Sequence, residues 1–171
     1  MTLIEQIMVL AIVATLTSVA APSMKRLVSR NQVRVAQNDF IGALHHAREQ
    51  AVMSGRRTVF CPTTDQTHCS GSTQWESGWL LGKDHDLDDQ PDDQPGRVGS
   101  PQPGKVVIRS SAGRHIVRFH PDGSASGSNI TLLFCEPSRP KDALVVVVSN
   151  AGRVRGAHAN VAQASRCAAL Q

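Results

Sequence analysis

The chain opens with a long apolar run and then changes to a periodic pattern. No charged residue occurs between Ile7 and Ala21, and the run ends at Pro22. At about 1.5 Å per residue, residues 1–21 form a helix roughly 30 Å long, which matches the thickness of a bilayer core. The run therefore predicts a membrane-spanning segment over residues 1–22.

Beyond Pro22 the sequence has the pattern of an amphipathic helix. Apolar residues recur every three to four positions, with most charged residues between them. These apolar residues are Leu27, Val33, Val35, Phe40, Ile41, Leu44 and Ala51. Gly55 is a typical helix stop. The pattern predicts one helix from about residue 2 to 53, bent near Pro22, whose part over 23–54 continues into a head domain.

Residues 55–171 predict a β-rich head domain. Alternating or apolar runs are separated by turn residues, such as Gly113-Arg114 and Pro121-Asp122-Gly123. The predicted strands are residues 57–61, 75–81, 105–110, 115–120, 130–135 and 143–149. Because residues 144–148 are apolar throughout, they predict a central strand. Residues 84–103 are rich in Asp, Gln, Pro and Gly and predict a long exposed loop.

Glu5 is the exception within the apolar run. A carboxylate in a membrane segment costs roughly 2.5–3.5 kcal/mol even on lenient insertion scales. No basic residue precedes Lys25, so the partner that neutralises Glu5 is expected on another molecule. A signal peptide is the alternative interpretation, but its basic residues should precede the apolar run rather than follow it.

Thr2-Leu3-Ile4-Glu5, followed by the apolar run and Pro22, resembles the mature N-terminus of type IV pilins and type II secretion pseudopilins. The resemblance implies that a prepilin peptidase cuts just before Met1, whose new amine is methylated. It also implies that Glu5 neutralises the N-terminal amine of a neighbouring subunit during filament assembly. The usual phenylalanine of the family is replaced here by Met1.

The head contains several motifs in a specific order. They are Trp75 and Gly78-Trp79 before the acidic loop, Phe119-His120-Pro121-Asp122-Gly123, Thr131–Cys135 and Val145–Arg155. In this order they resemble the GspH/FimT branch of minor pilins and pseudopilins, and most of all its FimT-type members. The resemblance implies an α+β, type IV pilin-like fold, with a long N-terminal helix on an antiparallel β-sheet head. It implies an inner-membrane protein with a periplasmic head, which reaches the cell surface in the pilus.

One segment of the head predicts a nucleic-acid site. The net charge of +4 favours anionic partners without choosing among them. Gly152-Arg153-Val154-Arg155 is similar to the DNA-binding element of FimT-type minor pilins. The similarity implies that Arg153 and Arg155, on a flexible loop, bind double-stranded DNA for uptake in natural transformation. Guanidinium groups fit phosphate oxygens, and no aromatic residue accompanies them, so we expect binding without sequence preference. Further candidates for the same patch are Arg139, Lys141, His158 and Arg166.

Other functions stay open at this stage. The alternative within the family is a GspH-like pseudopilin of type II secretion, with a structural role at the pseudopilus tip and no affinity for DNA. A calcium-dependent adhesin is a further alternative. An enzyme is not expected, because the sequence has no nucleophile elbow, phosphate-binding glycine loop or paired catalytic acids. No cofactor is expected.

The four cysteines predict disulfides, since the head of a pilin-like protein lies outside the cytoplasm. Three pairings are possible, and we favour the local one, Cys61–Cys69 with Cys135–Cys167. A zinc site with His68 beside Cys69 is the alternative, but no cysteine pair has the spacing of a zinc knuckle.

Two acidic or histidine-containing clusters are candidates for metal binding. Asp84, Asp86, Asp88 and Asp89 begin like a calcium loop, but the glycine and glutamate that an EF-hand requires are missing. We therefore expect a solvated acidic loop, with a looser calcium site as the alternative. One helical turn contains His45, His46 and Glu49. No further metal ligand is evident beside them, so they predict a polar helix face.

Overall fold

Helix α1, Leu3–Ser54, begins in the apolar run and continues into the head. The structure, a computed structural model, describes residues 2–92, 94–102 and 104–170, without the side chains of residues 19, 21–23, 25 and 26. The predicted methylation of Met1 and the ring of Pro22 therefore lie outside the described residues. The chain divides into two units, Met1–Asn31 and Gln32–Gln171. Within the described part of the chain, none of the helices combines the length and apolar character needed to cross a membrane.

The part of α1 in the second unit buries one side in the head. Its buried residues follow the helical repeat and include several alanines, which allow the helix backbone to approach the strands closely. The apolar ones are Val33, Ala36, Phe40, Ala43, Leu44, Ala47 and Ala51, and Gln37 is buried beside them. The prediction placed Val35 on this face, but its side chain is 56% exposed. The helix ends before Gly55, which has the positive φ of 64° typical of a helix stop.

The head has two four-stranded sheets in which all pairs are antiparallel. The first sheet has the order β3-β2-β1-β5, and the second sheet has the order β4-β6-β7-β8. The strands are β1 Thr58–Pro62, β2 Trp79–Lys83, β3 Arg97–Gly99, β4 Val107–Ser110, β5 Val117–Phe119, β6 Ile130–Cys135, β7 Leu144–Val148 and β8 Val154–His158. A 3₁₀ turn, Pro140–Asp142, precedes β7, and helix α2, Val161–Ala168, follows β8.

Several predicted strands are confirmed and others need correction. β6 has the predicted bounds, and β7 is an inner strand of the second sheet, as its apolar run predicted. The predicted strands 105–110 and 115–120 correspond to β4 and β5, which belong to different sheets. The loop predicted over 84–103 contains β3. The sequence patterns did not predict β8 or α2.

Phe40 joins the two sheets at the centre of the core. Its ring makes edge-on contacts with Phe60 of β1 and Phe134 of β6, at centroid distances of 5.7 and 5.0 Å. Trp75 and Trp79 also lie about its ring, at 6.1 and 6.0 Å. Both tryptophans are buried, so they act as core anchors. Edge-on aromatic contacts add to the stabilisation from area burial.

Candidate functional site

The Gly-Arg-Val-Arg segment forms one side of a tight hairpin between β7 and β8. The amide of Gly152 donates to the carbonyl oxygen of Ser149 at 2.8 Å. The amide of Ser149 donates to the carbonyl oxygen of Arg153 at 3.1 Å. Gly152 has a φ of 72°, the conformation that three-residue hairpin loops require at this position. Arg155 lies within β8, opposite Val147. The prediction of a flexible loop is therefore wrong, and the arginines are presented from a hydrogen-bonded hairpin.

The hairpin is held against the neighbouring turn over residues 121–123. A Cβ atom at position 152 would overlap the carbonyl oxygen of Gly123, so this contact requires glycine. The amide of Ala125 also donates to the carbonyl oxygen of Asn150 at 2.8 Å. From α1, Nε of Arg48 donates to the Gly123 carbonyl oxygen at 2.8 Å. These contacts fix the base from which Arg153 extends.

Arg153 and Arg155 project from the outer face of the second sheet, the face opposite the core. Residues two apart on a strand share a face, and Val147, opposite Arg155, packs in the small apolar cluster on this side. Both arginines are exposed. Among the described residues, neither side chain has a hydrogen-bond or ion-pair partner. Two cations with no competing carboxylate are suited to an external anion.

The other predicted members of the basic patch are spread over the second sheet. Arg139 precedes the 3₁₀ turn that contains Lys141. This turn lies just before the first residue of β7. Arg153 follows the opposite end of β7, roughly 14 Å away for a five-residue strand. His158 lies opposite Leu144, near the 3₁₀ turn. Arg139 and Lys141 are therefore not grouped with Arg153.

Arg166 reaches the outer face through the second disulfide. The structure contains Cys61–Cys69 and Cys135–Cys167, with Cα–Cα distances of 5.5 and 6.2 Å. The second bridge attaches α2 to β6, so Arg166 lies over the same side of the sheet as Arg155. All four cysteines are in these bridges, which leaves none as the thiolate ligand of a zinc site.

The acidic loop is only partly solvated. Asp84 is fully buried, and its carboxylate accepts hydrogen bonds from Arg57 and from the amides of Leu87 and Asp89. Asp89 receives two hydrogen bonds from Arg118, and these hold the pKa of its carboxyl below the usual range. The expectation of a freely solvated loop is therefore wrong at these two positions, where the carboxylates fasten the loop to the first sheet.

Among the described residues, one acidic group has metal-ligand spacing. Ligand atoms of Asp84, Asp86 and Asp88 lie within 4.8 Å of one another. Both carboxylate oxygens of Asp84 already accept protein hydrogen bonds, so the geometry is that of a structured turn. His45, His46 and Glu49 are exposed on α1, consistent with the predicted polar face.

Glu5 lies in the first turn of α1. Its carboxylate accepts a hydrogen bond of 3.4 Å from the backbone amide of Thr2, in an exposed position. A carboxylate at this end of a helix is favoured by the helix dipole. The carboxylate is thus positioned beside the start of the chain.

A comparison with protein families matches residues 36–152 to the family described as Type II transport protein GspH. The chain belongs to the GspH family. This match covers α1 from Ala36 onward and the head as far as Gly152. Members of this family are pilin-like structural proteins, not enzymes. A comparison with curated protein sequences gave no match.

Solved structures share the fold of this GspH-family chain. The type IV minor pilin FimU of Pseudomonas aeruginosa PAO1 aligns with a TM-score of 0.62 and 18% identity, over 75% of this chain and 90% of FimU. The minor pseudopilin EpsH of the Vibrio cholerae type 2 secretion system aligns with a TM-score of 0.54 and 12% identity, over 74% and 97%. The predicted α+β pilin-like fold is therefore confirmed.

Sequence reasoning missed the residues that hold the site in place. Arg48 and Gly123 are far apart in sequence, and no local pattern signals their contact. Asp84 was assigned to an acidic loop, and no local pattern signals its burial against Arg57. Gly152 did carry a signal, because Asn-Ala-Gly after an apolar strand is typical of a hairpin loop.

Proposed function

We propose that this GspH-family chain is a minor subunit of a type II secretion pseudopilus or a type IV pilus. The observation that supports the proposal is the apolar surface at the start of α1. Leu3, Ile4, Leu10 and Leu16 are 78, 68, 68 and 65% exposed. Soluble monomers rarely expose an apolar patch of this extent, so lipid or neighbouring helices must cover it. Before assembly the chain is held in the inner membrane with its head in the periplasm, and in the filament α1 packs among its neighbours.

Glu5 sets the register of assembly in this proposal. Buried among apolar helices, its carboxylate needs a cation, and the N-terminal amine of an adjacent subunit supplies one. Prepilin peptidase creates that amine by cleaving before Met1. Because the matching family is described as a type II transport protein, we favour the pseudopilus, with the chain as a structural subunit at its tip.

The test is incorporation of Glu5→Ala into filaments sheared from cells. We expect the variant to accumulate normally in the membrane and to be absent from the filament fraction. Glu49→Ala is the matched control, since Glu49 is an exposed carboxylate on the same helix. Equal amounts of Glu5→Ala and unaltered chain in the filaments would contradict the proposal.

A second candidate function is binding of extracellular double-stranded DNA, for uptake in natural transformation. The observation that favours it is the pair Arg153 and Arg155, which are exposed on one face of a fixed hairpin with no carboxylate partner among the described residues. Guanidinium groups can bind backbone phosphates of any sequence. A purely structural tip subunit has no need of such a pair.

The DNA proposal is tested with the full chain in neutral detergent and a fluorescent DNA duplex. Fluorescence anisotropy gives the binding constant between about 50 and 200 mM salt. Each phosphate contact contributes about 0.9 to the slope of log binding constant against log salt concentration. We expect Arg153→Ala/Arg155→Ala to weaken binding and to reduce the slope by about 2. Arg56→Ala removes another exposed arginine and is the control. If the double variant binds DNA as the control does, Arg153 and Arg155 are not the site.

A further inference from the structure

A groove crosses the outer face of the second sheet beside the arginine pair. One cavity, of about 490 Å³, lies between α2 and β4 and includes Arg109, Thr131 and Arg166 in its lining. A second, of about 610 Å³, extends to the β7–β8 turn and is lined by Arg114, Val147 and Ser149 among others. The two share Ser111, Ala112 and Thr131, so they form one continuous groove.

The charged residues described in the lining of this groove are all positive. They are Arg109, Arg114 and Arg166, and no described Asp or Glu lines it. Arg109 is paired with Glu76, and Arg114 donates to the carbonyl oxygen of Gly127 at 2.9 Å. Arg166 is exposed, and among the described residues its guanidinium has no hydrogen-bond or ion-pair partner. Arg166 is therefore the groove cation best able to bind an outside anion.

The groove leads directly to Arg155. Arg155 lies opposite Val147, and Val147 lies opposite Thr131, so these three residues cross the sheet in one row. Two strand spacings separate Arg155 from Thr131, roughly 10 Å. Thr131 also lines the cavity that contains Arg166.

The position of Arg166 depends on the disulfide between Cys135 and Cys167. Cys167 is the neighbour of Arg166 and the only buried residue of α2. Asn160 caps the helix start through a reciprocal bond with Gln163. A helix this short is marginal alone, so the bridge is the main constraint that keeps it on the sheet.

We propose that Arg166, held over the sheet by the Cys135–Cys167 bridge, binds a further backbone phosphate of the same DNA that Arg153 and Arg155 bind. The DNA strand then follows the outer-face groove from the β7–β8 turn toward α2. This inference rests on the proposed DNA binding and adds a third contact to it. None of the described residues that line the groove is aromatic, so the contact is to phosphate rather than to a stacked base.

The test compares variants of the full chain in neutral detergent with the same DNA duplex. We expect Arg166→Ala to reduce the slope of log affinity against log salt concentration by about 0.9. Between about 50 and 200 mM salt, the ratio of its affinity to that of the unaltered chain should therefore change about threefold. Arg56→Ala is the matched control, because Arg56 is an exposed arginine just after α1 and does not line the groove. Cys135→Ser/Cys167→Ser should reduce the slope as Arg166→Ala does, with no further loss when the changes are combined. Circular dichroism of each variant checks that the sheets remain folded.

The outcomes distinguish the Arg166 contact from the proposed DNA binding by Arg153 and Arg155. If Arg153→Ala/Arg155→Ala loses binding while Arg166→Ala keeps the slope of the Arg56→Ala control, the third contact is wrong and the arginine pair stands. If the unaltered chain binds no DNA at any salt concentration, both proposals fail. If the bridge variant keeps the full slope while Arg166→Ala loses it, the contact stands and the positioning role of the disulfide is wrong.

Discussion

The side-chain amide of Gln37 donates a hydrogen bond of 2.8 Å to the main-chain carbonyl oxygen of Val145. Gln37 is a buried residue of α1, and Val145 lies on β7. The same amide reaches the carbonyl oxygen of Ala157 on β8 at 3.3 Å. One polar side chain thus links the helix to the two strands that carry the arginine hairpin.

We expect Gln37→Leu to destabilise the second unit by about 1 kcal/mol, because both carbonyls lose a donor while the volume of the side chain is kept. Urea unfolding measures this change. Gln32→Leu, on the same helix, is a comparison variant. Equal midpoints for Gln37→Leu and the unaltered chain would show that the link does not contribute to stability.

Gly152 should be far less tolerant of substitution than another glycine of similar backbone conformation. Gly152→Ala adds a Cβ where the Gly123 carbonyl lies, whereas Gly113, with a φ of 70°, has open space. We expect Gly113→Ala to cost about 1–2 kcal/mol from the backbone conformation alone. Gly152→Ala should lower the stability clearly more, because the β7–β8 turn must also move away from the turn at Gly123. Thermal unfolding of both variants provides the measurement, and equal losses would rule out the contact as a constraint.

The two disulfides should contribute unequally to stability. The Cys135–Cys167 bridge closes a sequence separation of 32, against 8 for Cys61–Cys69. On the loop-closure model, removal of Cys135–Cys167 costs about 3–4 kcal/mol, and removal of Cys61–Cys69 costs about 2–3 kcal/mol. Guanidinium unfolding of Cys135→Ser/Cys167→Ser and Cys61→Ser/Cys69→Ser tests the order. A larger loss for the shorter loop would contradict it.

Asp89 should stabilise the head at neutral pH and lose this effect in acid. Its hydrogen bonds with Arg118 lower the pKa of its carboxyl in the folded state. A lowered folded pKa gives stability above the unfolded pKa of about 3.9, lost as the pH falls through the folded pKa. We therefore expect Asp89→Asn to have a lower Tm than the unaltered chain at pH 7.

The difference in Tm should narrow as the pH falls below about 4. Asp89 is partly exposed, so the effect is modest and should decrease further with added salt. Asp86→Asn, an exposed residue of the same loop, controls for the loss of an acidic charge. A difference in Tm that stays constant from neutral to acid pH would exclude the ion pair as its cause.

The contact between Arg48 and Gly123 shows what local patterns omit. The helix, the strands β6 and β7 and the turn at Gly123 all follow from periodicity and turn residues. In contrast, Arg153 and Arg155 were predicted to lie on a flexible loop, whereas Arg155 belongs to β8. It pairs as a strand because β7 offers it a free edge, a condition that its own sequence does not contain.

The sequence by itself determined the pilin-like organisation: a long helix with one carboxylate in its apolar run, a β-rich head and a pair of arginines after an apolar strand. These are local properties, because side-chain chemistry and backbone preference act over a few residues. Only the tertiary structure decided that Arg166 shares a face with Arg155, and that Arg139 and Lys141 lie at the opposite end of β7 from Arg153. Strand order, a long-range disulfide and the burial of Asp84 depend on contacts between distant residues, and close packing of the whole core selects them.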